Sequence, residues 1–397
     1  MAYFRKSTEK PAHKSYLKYT YDDPLFGISF HPSANYFVSG LSTGQVLAHQ
    51  YGDDILDKDD KPSVSTVWQT KRHKGSCRAV VFDRSGDTLY SIGSDLVVKK
   101  ADSLTGKVTA KHTLTSTKAT PTLLYATENY LLAGCEDSTL TVFDPRTMSS
   151  THSYSKIHED SMTSIVALET NKYNFVTTGS TTVAEVDIRK GVIRVSDDQE
   201  DEVLCGCLAN KKLAAFGMSE GVVTVWNTNG FVDQQSRVRL SDESVDCVIQ
   251  APDDDEEPII YAGAADGIIR KVDIKKGKVL DKWIHTKVDE VTWLDFDYQY
   301  RLVSANMETV KLWEPQLKLE DSEEEEERTD SGSDNSEWED FSDAVAKSTP
   351  APVLKEDKIE SEDEHEQPSR KKLRKLKKQN QKQPKKAIKG IAAFKDL

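Results

Sequence analysis

The sequence predicts an all-β protein, a seven-bladed β-propeller, and three observations carry that prediction. A strand-like run climbs to a small residue seven times, at Gly40, Gly93, Gly134, Gly179, Gly217, Gly263 and, in a weaker copy, Ala305. Successive small residues stand 53, 41, 45, 38, 46 and 42 positions apart, a period of about 44 that accommodates four short strands and their turns. Most copies then run on to an apolar–acidic or apolar–amide pair, among them Phe143-Asp144, Val186-Asp187, Trp226-Asn227, Val272-Asp273 and Trp313-Glu314. Such copies stack into one closed body, so 397 residues do not imply the two or three domains that length alone suggests.

The copies justify themselves in order. The first reads Leu25 to Pro32, then Tyr36 to Gly40, then Gly44 to Ala48, each a short run with aromatic and β-branched content, punctuated by Pro, Ser, Asn and Gly. The second repeats it: Arg78 to Asp83, a Ser85-Gly86-Asp87 turn, then Leu89 to Gly93. Copies three to seven begin near Pro121, Met162, Val203, Val245 and Val291, each on apolar or alternating residues suited to a strand near a propeller axis. Two polar insertions, Gly52 to Pro62 and Pro252 to Pro258, read as surface loops. The seventh copy stops after its third strand, Val310 to Trp313. A three-stranded blade exposes an edge. The alternating segment Ser15 to Thr20 is therefore expected to supply the missing outer strand and close the ring. The predicted propeller spans residues 15–318, and a disordered tail spans 319–397.

Composition narrows the function. No stretch of about 18 apolar residues offers a membrane span, and Met1 to Lys6 lacks the apolar core of a signal peptide. Of the five cysteines, Cys77, Cys135, Cys205, Cys207 and Cys247, four sit in apolar runs; buried, reduced thiols in a cytosolic or nuclear protein are the simplest reading. The net charge is −13, of which residues 320–397 contribute 21 acids against 16 bases. The preceding part is itself acidic, which disfavours a broad nucleic-acid-binding face on it.

The tail is sharply patterned. Residues 320–343 carry 13 carboxylates against Arg328 alone, a self-repelling composition with little to bury. Ser322, Ser331, Ser336 and Ser361 each have a carboxylate three residues on, the spacing read by an acid-directed kinase of the casein kinase type. A solubilising linker is the plain alternative. Residues 370–389 hold 11 Lys or Arg and no acid. This block, with Arg370, Lys371, Lys372, Arg374, Lys375, Lys377, Lys378, Lys385 and Lys386, reads as nuclear or nucleolar targeting, as RNA contact, or as a solvated tail neutralised by the acids before it.

Catalytic patterns are missing. There is no Gly-rich phosphate loop, no Gly-x-Ser-x-Gly elbow and no His-Glu-x-x-His, so a binding protein without cofactor or metal is expected, and not an enzyme. Cys205-Gly-Cys207 puts two thiols on one strand face, but no second Cys or His pair completes a tetrahedral zinc site. His73, His158 and His285 precede the first strand of a copy, where a structural role is favoured over catalysis.

The repeats resemble those of WD-repeat proteins over about 300 residues, although most Gly-His and true Trp-Asp pairs are absent. Asp144-Pro145-Arg146 and Asp187-Ile188-Arg189 resemble the Asp-x-Arg box of WD-repeat substrate receptors that dock on the adaptor of cullin-4 ubiquitin ligases. That likeness makes Arg146 and Arg189 candidate adaptor contacts, with Phe143 and Val186 where those receptors usually have Trp. Alternatively, each Asp closes a turn and each Arg caps a blade edge. A finer resemblance rests on Asp23 to Pro32, His73 to Val80, the acidic-then-basic tail and the ending Ile391 to Leu397. These segments are similar to those of the fungal Jumonji-interacting WD-repeat proteins and their animal counterpart, WD repeat-containing protein 55. The resemblance implies a nucleolar scaffold in ribosomal RNA processing and large-subunit production. Its partners would be pre-ribosomal proteins, with pre-rRNA as a candidate contact of the basic tail and a monomeric propeller as the body. A ligase substrate receptor, and a chromatin or histone-peptide binding module, stand as alternatives.

Overall fold

Short runs, almost continuously buried in the second strand of each blade and mostly exposed in outer strands such as Ser149–Tyr154 and Gly191–Val195, separated by Gly, Asn, Asp and Ser turns, become 28 strands and no helix among the described residues. The computed structural model describes residues 13–52, 64–252 and 257–314. The strands form seven four-stranded antiparallel sheets. Their inner strands are Leu25–Phe30, Cys77–Phe82, Pro121–Ala126, Met162–Ala167, Val203–Leu208, Val245–Gln250 and Trp293–Phe296. Each inner strand contacts the next, and the last contacts the first, so the ring is closed.

The expected closure is present. Ser15–Thr20 pairs antiparallel with Thr309–Trp313, placing Leu17 opposite Leu312 and Tyr19 opposite Val310. Blade 7 thus takes its outer strand from the N-terminal side of blade 1. Leu17 is buried with Leu25, Phe37, Val310 and Leu312 in one core cluster. Arg301, only 2% exposed, sits beside this junction. Its guanidinium meets Asp297 at 2.6 Å and lies 5.3 Å from the Tyr16 ring and 5.8 Å from that of Tyr51. The Tyr51 hydroxyl donates to Asp297 Oδ2 at 3.2 Å, so a charge pair taken out of water is held by blade 7 and blade 1 together.

The recurring small residue has a packing cause. It ends the second strand of a blade, where the next inner strand begins. A β-carbon on Gly40 would lie 2.6 Å from Cys77 Sγ; on Gly134, 2.7 Å from Met162 Sδ; on Gly263, 2.8 Å from Val291 Cγ1. Ala305, fully buried, serves the same purpose in blade 7. The register slips once near the start of six inner strands, between Leu25 and Gly27, Cys77 and Ala79, Pro121 and Leu123, Met162 and Ser164, Val203 and Cys205, and Val245 and Cys247. A bulge re-aims the extra side chain.

Boundaries differ in two places. The blade 7 inner strand starts at Trp293, two residues beyond Val291, and the Val291 amide donates back to Ala264 O of blade 6 at 3.2 Å. The third strand of blade 1 is Gln45–Tyr51, since Gly44 has φ +80 and belongs to the turn. The inserted loops, the acidic segment and the basic block fall wholly or largely outside the described residues.

Candidate interaction surfaces

Each blade is a four-stranded meander. Its first and last turns therefore lie at one end of the ring. Its middle turn and the connection to the next blade lie at the other. Among the described residues, the middle turns and inter-blade connections hold 19 Asp or Glu against five Lys or Arg. The opposite turns hold 11 Lys or Arg against seven Asp or Glu. Among the described residues, one end is thus strongly acidic and the other mildly basic.

At the acidic end the three expected histidines are structural. His73 is bound through Nδ1 to Asp95 at 3.0 Å and through Nε2 to Ser91 at 2.9 Å. His158 meets Thr182 at 2.7 Å and Thr177 at 3.0 Å. His285 Nδ1 meets the Ser304 hydroxyl at 2.7 Å, and that hydroxyl accepts Trp313 Nε1–H at 2.8 Å. Burial pushes His158 and His285 down to about 4. Each ring fastens an inter-blade connection to the strands behind it.

On the axis lies a cavity of about 820 Å³ lined by inner strands of blades 1, 2, 3, 4 and 7. Four bulge side chains, Phe26, Arg78, Thr122 and Thr163, line it, together with Trp293 and Met307. The Arg78 guanidinium stacks 5.1 Å over Phe26. Asp295 also lines the cavity, accepting the Phe296 amide at 2.8 Å, and burial raises its carboxyl to about 6. Sequence reading missed these residues. The signal available was the second position of each inner strand, which repeats in place but not in residue type.

At the opposite end the Asp-x-Arg boxes close the third strands of blades 3 and 4. Arg146 donates Nε and Nη2 to Asp144 at 3.2 and 3.0 Å, and Arg189 does the same to Asp187 at 3.0 and 2.8 Å. The Arg189 hydrogen bonds hold Asp187 down to about 2, against burial. Arg189 also stacks 3.6 Å over Tyr173. The side chain of Arg146 is 86% exposed and that of Arg189 43%. The middle residue of each box is tied to the preceding blade: Lys100 Nζ donates to Pro145 O at 2.9 Å and Tyr154 OH to Ile188 O at 3.0 Å. The boxes therefore cap and couple blades, and leave two guanidinium groups at the surface of adjacent blades.

The five cysteines are unpaired, and Cys205 and Cys207 pack in the core cluster between blades 5 and 6. Burial raises the Cys77, Cys135 and Cys207 thiols to about 12. Among the described residues no group of three or more His, Cys, Asp or Glu could hold a metal ion. Ser322, Ser331, Ser336, Ser361 and the basic positions from Arg370 to Lys386 lie outside the described residues.

No family model matches the chain. It is 37% identical over 369 residues to WD repeat-containing protein JIP5 of Meyerozyma guilliermondii, covering 80% of this chain and 75% of that protein. It is 38% identical over 307 residues to WD repeat-containing protein JIP5 of Saccharomyces cerevisiae, covering 69% and 62% respectively. Among solved structures, the WD40 β-propeller domain of Doa1 superposes with a TM-score of 0.63 at 14% identity, over 77% of this chain and 98% of that one; this is a likeness of fold.

Proposed function

The chain belongs to the WD repeat-containing protein JIP5 family, and on that premise we propose that it is a non-enzymatic nucleolar scaffold acting in ribosomal RNA processing and large-subunit assembly. The carrying observation is family membership joined to a closed WD40 propeller, a fold that generally mediates protein–protein contacts. The nucleolar and ribosomal parts of the reading are what resemblance to that family implies. The 11 cations of residues 370–389 supply a targeting signal and a candidate pre-rRNA contact. Removing residues 370–389 from the full chain is expected to disperse it from the nucleolus; unchanged accumulation there overturns the targeting role. Depletion is expected to lower free large subunits in a polysome profile, and a normal profile overturns the ribosomal role.

A second reading, docking on a cullin-4 ligase adaptor, draws on the exposed guanidinium groups of Arg146 and Arg189 at one end of adjacent blades. Arg146→Ala with Arg189→Ala is expected to abolish adaptor capture while leaving the circular dichroism spectrum intact. Failure of the native protein to capture the adaptor ends this reading.

A further inference from the structure

The acidic end carries more than charge. Beside the axial cavity lies a second hollow of about 370 Å³, lined by Ala265, Val288, Asp289, Glu290, Asn306, Met307 and Glu308. Met307 lines both. Two large apolar side chains stand open there, Val288 at 86% exposure and Met307 at 44%. Isolated exposed apolar residues need no explanation, but these two edge one hollow, and Met307 reaches the axial cavity as well. Their rim is anionic: Asp289, Glu290 and Glu308 surround them. The Oδ2 of Asp246, at the blade 6 bulge, is buried and receives no hydrogen bond. Burial raises the Asp246 carboxyl, and Glu290 adds to the effect.

An anionic rim and an apolar notch ask for one kind of occupant. Anionic ligands are repelled by 19 carboxylates. An uncharged apolar peptide would leave the rim unmatched. We propose that the acidic end of the propeller binds a Lys/Arg-rich protein segment of a partner, with one apolar side chain seated at Met307 and Val288 and its cations on the surrounding carboxylates. This rests on the scaffold reading only in taking the partner to be a protein, and it adds the chemistry and the place. Charge then supplies rapid capture, while the apolar anchor slows release.

The test uses the full-length protein and a fluorescent synthetic peptide of about 20 residues, half of them Lys or Arg, carrying a single Leu. A matched peptide with Ser in place of that Leu and a single-stranded oligouridylate serve as comparisons. Anisotropy titration is expected to show binding of the Leu peptide that weakens at least tenfold for Asp289→Lys with Glu308→Lys, and severalfold for Val288→Ser with Met307→Ser. All four side chains are exposed, so a matched melting temperature will show that the variants are folded. Equal affinity for the Ser peptide, indifference to the charge reversals, or preferential binding of the oligouridylate overturns the proposal. Nucleolar accumulation and polysome profiles are separate readouts, so loss of this site leaves the scaffold reading standing, and the reverse also holds.

Discussion

Gly40 shows how a single residue type is set by a neighbouring blade. An added β-carbon would meet Cys77 Sγ at 2.6 Å and Val80 Cγ1 at 3.2 Å, both part of the next inner strand. Gly40→Ala is expected to cost about 1–3 kcal/mol, and Cys77→Ala, which removes the obstructing sulfur, should lessen that cost in the double variant. Urea denaturation of the four proteins measures the coupling; additive effects would refute the contact. Buried histidines set the acid limit. His49, His158 and His285 are held near 4 in the fold, against 6.5 when free. Between about pH 6.5 and 4 the unfolded chain takes up protons that the folded ring refuses, so stability is complete above that window and falls as pH drops through it. Each histidine accounts for on the order of 3 kcal/mol across the window. Asp295, raised to about 6, and Asp246, also raised by burial, act in the opposite sense but are two carboxyls against three histidines. Calorimetry should show a melting temperature that is level above about pH 7 and falls below about 6.5, with His158→Gln flattening part of the slope.

At the scale of the element, the closing strand matters most. The outer strand Gly191–Val195 of blade 4 is exposed at four of its five positions, whereas Ser15–Thr20 buries Leu17 against the core shared by blades 7 and 1. Leu17→Ala is expected to cost about 2–4 kcal/mol, and deletion through Thr20 should broaden the unfolding transition, because the ring then has a free end. A transition as sharp as that of the intact chain would show that blade 7 holds without its fourth strand. The neighbouring Asp297–Arg301 pair makes a sharper case. Asp297→Ala leaves a buried guanidinium uncompensated and should cost about 3–5 kcal/mol, while Asp297→Leu with Arg301→Met should recover most of that. The closing strand was legible because the seventh copy came up one strand short and Ser15 to Thr20 alternates. The start of the blade 7 inner strand was less so: Val291 is as apolar as Val203 and Val245, which open their strands, but pairing with Leu302–Ala305 begins only at Trp293.

For the whole molecule, charge sorting has a consequence in solution. Nineteen carboxylates crowd one end, so their mutual repulsion opposes the closed ring and salt relieves it. The melting temperature should rise between about 20 and 300 mM sodium chloride; a fall would mean that attractive pairs outweigh this repulsion. The sequence by itself determined the propeller, the blade count and the closing strand, because each follows from local periodicity and from the number of strands needed to cover an edge. It also marked Asp144-Pro145-Arg146 and Asp187-Ile188-Arg189, because both boxes are short contiguous motifs. Only the tertiary structure decided which charges share an end, and that Phe26, Arg78 and Met307 meet around one cavity. Those residues come from three blades, and no local pattern links them; their proximity arises when the ring closes, with bulges turning Phe26 and Arg78 to the cavity and the middle turn of blade 7 bringing Met307 to it.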